Sequence, residues 1–214
     1  MTKVLIIGAS RGIGLETVRC ALEADCTVRA FSRKAQNIAL DNPNLEKFSG
    51  DALNAEDITR ALQGIDVVIQ VLGAPFNSET VIRGTRLFSD STRVLIDCIE
   101  AVGASKRLIC VTGLGAGDSR VHLKGMYRLL FTLGLARMYD DKDVQEQMVR
   151  NSKLDWTIVR PGLLTDGRAT GVYQVLVEPD QWRAAGVRRA DVGLFLVDEA
   201  LKGTYRGKTP VIIG

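Results

Sequence analysis

Short apolar runs alternate with amphipathic stretches along the whole chain. Runs rich in branched apolar residues at 3–7, 27–31, 45–48, 66–71, 107–112, 157–160 and 211–213 predict strands. Between them the spacing predicts helices over 12–24, 55–62, 79–102, 144–152 and 190–202. In the longest of these, Leu87, Val94, Leu95, Cys98 and Val102 recur at three- and four-residue steps, which would place them on one buried face. Strand alternating with helix from end to end implies an α/β fold: a Rossmann-like, doubly wound parallel β-sheet flanked by helices. The chain shows no repeat, linker or low-complexity stretch.

Composition narrows the picture without changing it. A chain of 214 residues suits one such domain spanning 1–214, with small substrate-side elements near its C-terminal end. The apolar fraction of 46% is enough for a full core. A net charge of +3, mixed along the chain, does not argue for a nucleic-acid partner and is compatible with an anionic ligand. Met1-Thr2-Lys3 leads directly into the first strand with no signal peptide, and no apolar stretch would span a bilayer, so a cytoplasmic location is expected. Cys20, Cys26, Cys98 and Cys110 form no CxxC pair and fall in apolar patterns, the signature of buried, reduced thiols. His122 is the only histidine, so a histidine-rich metal site is excluded and no metal site is expected.

The most specific chemistry lies where the first strand meets Gly8-Ala9-Ser10-Arg11-Gly12-Ile13-Gly14, followed by a helical pattern. Strand, glycine loop and helix in that order form a dinucleotide-site signature. Gly8 permits the tight turn, Gly12 lets backbone N–H groups approach a pyrophosphate, and Gly14 lets helix and strand pack closely. The positive end of the helix dipole then faces the phosphates.

Beyond the second strand, where NAD sites usually carry an acid for the ribose 2′-hydroxyl, this chain has Ser32, Arg33 and Lys34. Together with Arg11, these cations suit a 2′-phosphate and predict preference for NADP(H) over NAD(H), the alternative being solvated surface charges. Gly50, Asp51 and Ala52 follow the third strand, where a carboxylate can accept from the adenine amino group or simply close a turn. Leu72, Gly73 and Ala74 end the fourth strand, where the glycine lets the chain pass close to a cofactor. Segment 120–139 carries Leu123, Met126, Leu129, Leu130, Phe131, Leu133 and Leu135 with Arg120, Lys124, Arg128 and Arg137 and no acid before Asp140. It could cover an apolar ligand or lie on a membrane surface; the favoured expectation is a helix packed on the sheet or on a partner subunit, its basic side chains solvated.

The chain as a whole resembles the atypical short-chain dehydrogenases, in the NAD(P)H-binding branch near biliverdin reductase B, flavin reductases and NmrA-like proteins. The resemblance rests on the loop 8–14, the Gly50-Asp51 pair and Val111-Thr112-Gly113-Leu114-Gly115-Ala116-Gly117. It rests also on Leu154-Asp155-Trp156-Thr157-Ile158-Val159-Arg160-Pro161-Gly162-Leu163-Leu164-Thr165-Asp166 and on the helix start at Arg189-Ala190-Asp191-Val192. It implies that Pro161, Gly162 and Leu163 lie against the nicotinamide and that Thr112 offers a hydroxyl to substrate or nicotinamide ribose. Thr112, Tyr139 and Lys142 are then the candidate catalytic residues. Main-line members pair a tyrosine with a lysine four residues on; here Lys142 is only three residues after Tyr139, and Tyr127 is followed at four by Phe131. Lys142 can still hold a ribose or phosphate, or be a surface charge beside Asp141 and Asp143. A site poor in acid–base groups suits hydride transfer to a small planar acceptor, a flavin, quinone or carbonyl. The alternatives are a non-catalytic NADP(H)-binding redox sensor acting through a protein partner and, less well supported, a sugar-nucleotide epimerase or dehydratase. A monomer or homodimer fits either of the first two.

Overall fold

The computed structural model describes residues 1–75, 77–102, 106–123, 125, 128 and 131–214. Its main sheet contains β1 (Lys3–Ile7), β2 (Thr27–Ser32), β3 (Leu45–Ser49), β4 (Val67–Gln70), β5 (Arg107–Val111) and β6 (Asp155–Pro161), all parallel. The connecting helices are α1 (Gly12–Glu23), α2 (Ala55–Ala61), α3 (Ser78–Arg83), α4 (Leu87–Ala101) and α5 (Ala136–Asn151). Short strands β7 (Leu163–Thr165), β8 (Gln174–Leu176) and β9 (Gly186–Arg188) follow, then α6 (Arg189–Lys202) and β10 (Val211–Ile213). The sheet order is β3-β2-β1-β4-β5-β6-β10-β8, with β7 and β9 forming a separate parallel pair.

The first six strands have the Rossmann order, whose direction of winding reverses between β1 and β4. Alternation along β1 divides the core: Val4 and Ile6 pack with Val18, Ala21, Val192 and Phe195 under α1 and α6. Leu5 and Ile7 pack with Ile58, Leu95, Ile99 and Val149 under α2, α4 and α5. The central strands β1, β4 and β5 thus have both faces covered, which is why their runs read as nearly continuously apolar. The carboxyl ends of β1 to β6 all open on one edge.

Several expectations need correction. The sheet is not wholly parallel: β8 runs antiparallel to β10 at the far edge. The helix expected over 79–102 is two helices, because Gly84 takes φ 77° and breaks the run; a side chain there would begin 3.2 Å from the Arg137 carbonyl oxygen. The helix expected over 144–152 begins at Ala136. Its early turns bury Met138, Asp141, Gln145 and Glu146, so polar side chains face inward and the apolar period is lost.

Segment 120–139 is not one helix. Gly117–His122 forms a 3-10 turn and Phe131–Leu135 a wider π-type turn before α5. Arg120 is not merely solvated: it pairs with Asp140 at 2.9 Å and Asp143 at 2.7 Å, acids supplied by the following helix. Lys124, Met126, Tyr127, Leu129 and Leu130 lie outside the described residues.

Candidate active site

The glycine loop is held by backbone contacts that leave no room for a side chain at Gly8 or Gly14. The Gly8 and Ala9 N–H groups both donate to the Phe31 carbonyl, at 3.0 and 3.2 Å, tying the loop to β2. A Cβ on Gly8 would lie 2.6 Å from the Val71 oxygen, and one on Gly14 would lie 2.1 Å from the Gly8 oxygen. Gly12 takes φ 56°, and Ser10 and Arg11 are exposed beside it while Ile13 is buried. No side chain caps α1, so the amides of its first turn remain for a ligand.

Ser32 ends β2, and its buried hydroxyl oxygen has no hydrogen-bond partner among the described residues. Arg33 and Lys34 follow it with exposed side chains. On the next strand end, a Cβ on Gly50 would meet the Phe31 ring at 2.7 Å, and that ring stacks on Phe48 with centroids 5.7 Å apart. The Asp51 Oδ1 accepts from the Leu53 N–H at 3.0 Å, which is the turn-closing role, while Ala52 is buried in the core below. Leu72, Gly73 and Ala74 continue from β4, and the space a Gly73 side chain would enter is open. A tight glycine cradle, an uncapped helix start and an orphaned hydroxyl at the end of β2 fit a dinucleotide.

On the far side of the β1/β4 reversal, Thr112 is almost wholly buried and its hydroxyl donates to Glu146 Oε1 at 2.8 Å. Glu146 also accepts from Arg160 Nε at 2.9 Å and Nη2 at 2.5 Å, giving a bidentate ion pair between α5 and β6. Both partners are buried, at 0% and 2% side-chain exposure, and Asp118 adds a second carboxylate 2.6 Å from Arg160. Burial opposes the Arg160 charge; the Glu146 hydrogen bonds and charge, with Asp118, overcome it and hold its pKa above the ordinary value. The pair lies under Gly117, where a Cβ would approach Glu146 Oε2 to 2.6 Å and Arg160 Nη2 to 2.8 Å.

Tyr139 and Lys142 project from α5 beside this loop. The Tyr139 hydroxyl lies over Gly113, 2.4 Å from where a Cβ would stand, and its ring meets Phe131 edge-on at 4.7 Å. Burial, reinforced by the Glu146 charge, pushes its pKa up to about 12. The Lys142 ammonium donates to the Thr112 carbonyl and lies 4.8 Å from the Phe88 ring centroid. Burial lowers its pKa to about 8, against the neighbouring acidic groups. Lys142 is therefore turned inward rather than being a plain surface charge. Pro161 is buried, Gly162 is fixed by a 2.2 Å approach of its would-be Cβ to the Ala185 oxygen, and Leu163 is 60% exposed at the edge.

The sequence did not single out Glu146, Asp118, Asp141 or the burial of Arg160. Asp141 is buried and accepts from the Phe88 N–H at 2.9 Å and the Ser89 N–H at 3.3 Å, capping α4 from another helix. Nothing in local spacing announces a cap lent from 53 residues away. Arg189, noticed only as a helix start, lies beside the glycine loop, its Cδ 3.9 Å from the place of a Gly12 Cβ.

A family model described as NAD(P)H-binding matches residues 8–202. The UPF0659 protein YMR090W of Saccharomyces cerevisiae is 28% identical over 93% of this chain and 87% of its own length. Among solved structures, the anaerobillin reductase ChuY from Escherichia coli O157:H7 superposes with TM-score 0.81 at 29% identity, covering 99% of this chain and 97% of that one. A wide-type short-chain dehydrogenase/reductase from Veillonella parvula, in complex with NADP, superposes with TM-score 0.83 at 15% identity, covering 100% and 94%.

Proposed function

This chain belongs to the NAD(P)H-binding family, and from that premise we propose that it is an NADPH-dependent reductase of a flat, conjugated acceptor such as a flavin or a tetrapyrrole. The observation that carries the reading is the state of Tyr139 and Lys142. A phenol with its pKa near 12 is a poor proton donor at neutral pH, and the lysine that would lower it is engaged by the Thr112 carbonyl instead. Reduction of a simple carbonyl needs such a donor; an extended π-system takes up hydride and can be protonated by solvent. The 29% identity with an anaerobillin reductase across nearly the whole of both chains supports a tetrapyrrole as one such acceptor.

The loop 8–14 would hold the pyrophosphate, with Ser32, Arg33 and Lys34 at the adenosine ribose and its 2′-phosphate. Gly50, Asp51, Ala52 and Leu72 to Ala74 would border the adenosine half, and Pro161, Gly162 and Leu163 the nicotinamide. When bound, the reduced dinucleotide supplies the hydride. The chain's own part is orientation: the Glu146–Arg160 pair fixes the Thr112 loop, and Lys142 offers a cation beside it. With its proton committed to Glu146, the Thr112 oxygen presents lone pairs only.

The test is loss of the reduced-nicotinamide absorbance with purified protein against FMN, biliverdin, a naphthoquinone and simple aldehydes. Turnover with FMN or biliverdin and none with aldehydes is expected. Tight NADPH binding without oxidation by any acceptor would make the protein a binding module instead.

A further inference from the structure

We propose that Arg189 is a pyrophosphate-binding residue held in reserve by Asp166, which it exchanges for the dinucleotide's phosphates. The proposal rests on the reading of loop 8–14 as the dinucleotide site. Arg189 is the first residue of α6, and its Cδ and Nε lie 3.9 and 4.0 Å from where a side chain on Gly12 would begin. Gly12 is the glycine at which the loop turns into α1 with φ 56°, so the guanidinium stands over the backbone that would face the phosphates. Its Nη1 donates to Asp166 Oδ1 at 2.7 Å.

The two ends of this ion pair differ in surroundings. The Asp166 side chain is 92% exposed, whereas that of Arg189 is 30% exposed. An exposed carboxylate gains little from such a pair in water. A phosphate offers the same guanidinium two parallel, charge-assisted hydrogen bonds.

Strand pairing fixes where the exchange happens. Thr165 pairs with Arg188 at the end of β7 and β9, so Asp166 and Arg189 leave the pair side by side. Release of Asp166 does not free the segment behind it. The buried Asp191 accepts from the Thr170 N–H at 2.7 Å and the Gly171 N–H at 2.9 Å, and Arg188 donates to the Arg168 carbonyl at 3.0 Å. The segment 166–171 therefore stays held by Asp191 and Arg188 when Asp166 lets go, and of its named contacts only the one at Asp166 involves the arginine that lies over the loop.

A pyrophosphate contact predicts equal effects on NADPH and NADH, measured as equilibrium binding by titration calorimetry. Arg189→Ala should weaken both by roughly tenfold to a hundredfold, the worth of hydrogen bonds to a charged group. Asp166→Asn, at an exposed position, should tighten both by about two- to fivefold, the worth of an exposed ion pair removed as a competitor. Arg33→Ala serves as the contrast, since it should weaken NADPH alone. Unchanged affinity in Arg189→Ala, or a loss confined to NADPH, would overturn the proposal while leaving the dinucleotide site intact. If Arg189→Ala proves misfolded by circular dichroism, the Asp166→Asn arm decides: no gain in affinity for either dinucleotide overturns it. If the parent protein binds neither dinucleotide, the family reading of the loop fails first and the proposal with it.

Discussion

Tyr139 and Lys142 stand three positions apart on α5, and the Lys142 ammonium, 5.2 Å from the Tyr139 ring centroid, donates to the Thr112 carbonyl. Tyr139→Phe should keep flavin or tetrapyrrole turnover within a few-fold of the parent; collapse of kcat with unchanged NADPH affinity would restore the phenol as the acid. Lys142 gives a pH signature with two opposite parts. Its folded pKa of about 8 lies below the ordinary 10.5, so from pH 8 to 10.5 the unfolded chain binds more protons. Stability should therefore rise with pH from 8 towards 10 in urea titrations, and NADPH affinity should fall as the cation is lost. Lys142→Met should flatten both curves. Arg33→Ala should cost roughly 1.5–3 kcal/mol in NADPH affinity and leave NADH unchanged, as isothermal titration would show. Gly8 and Gly14 were legible because each answers to backbone contact at one place. The working state of Thr112 was not, since its hydroxyl is taken by Glu146 from a helix 34 residues on.

At the level of elements, the helices that cover the sheet with apolar faces were readable. α1 and α6 announced themselves, while residues 140–143 of α5 fell between two expected helices, Asp141 among them being turned to the interior. The same polar face makes α5 the keystone beside the 112–117 loop: Asp141 caps α4, Gln145 donates to Thr92 at 3.0 Å, and Glu146 holds Arg160. Glu146→Gln removes one half of a buried pair and leaves the Arg160 guanidinium short of charge. Destabilisation of about 3–5 kcal/mol should follow in denaturant titration, with the 112–117 loop loosened in hydrogen exchange. A stability within 1 kcal/mol of the parent, by the same titration, would show that Asp118 alone suffices. The break at Gly84 escaped the sequence pattern because Thr85 and Arg86 fit the polar face of a continuous helix equally well.

For the molecule as a whole, alternation of runs pointed to the doubly wound architecture, while the order of the first six strands is a finding of the structure. Strands β7, β8 and β9 escaped because three-residue segments carry too little pattern, and their pairing is decided far along the chain. β10, whose apolar run did show, bears on how the protein comes into being. Val211–Ile213 is inserted between β6 and β8, and all three residues are at most 1% exposed. On the ribosome, β6 and residues 174–176 emerge before the strand that joins them has been translated. At ~5–20 residues per second, the roughly 35 residues from 176 to 211 leave an open apolar seam for about 2–7 s, besides the time needed to clear the exit tunnel. A nascent chain stalled after residue 210 should be captured by a chaperone holdase in a pull-down of ribosome complexes, and one stalled long enough beyond 214 to clear the tunnel should not. Equal capture of both would mean that the sheet closes without its inserted strand.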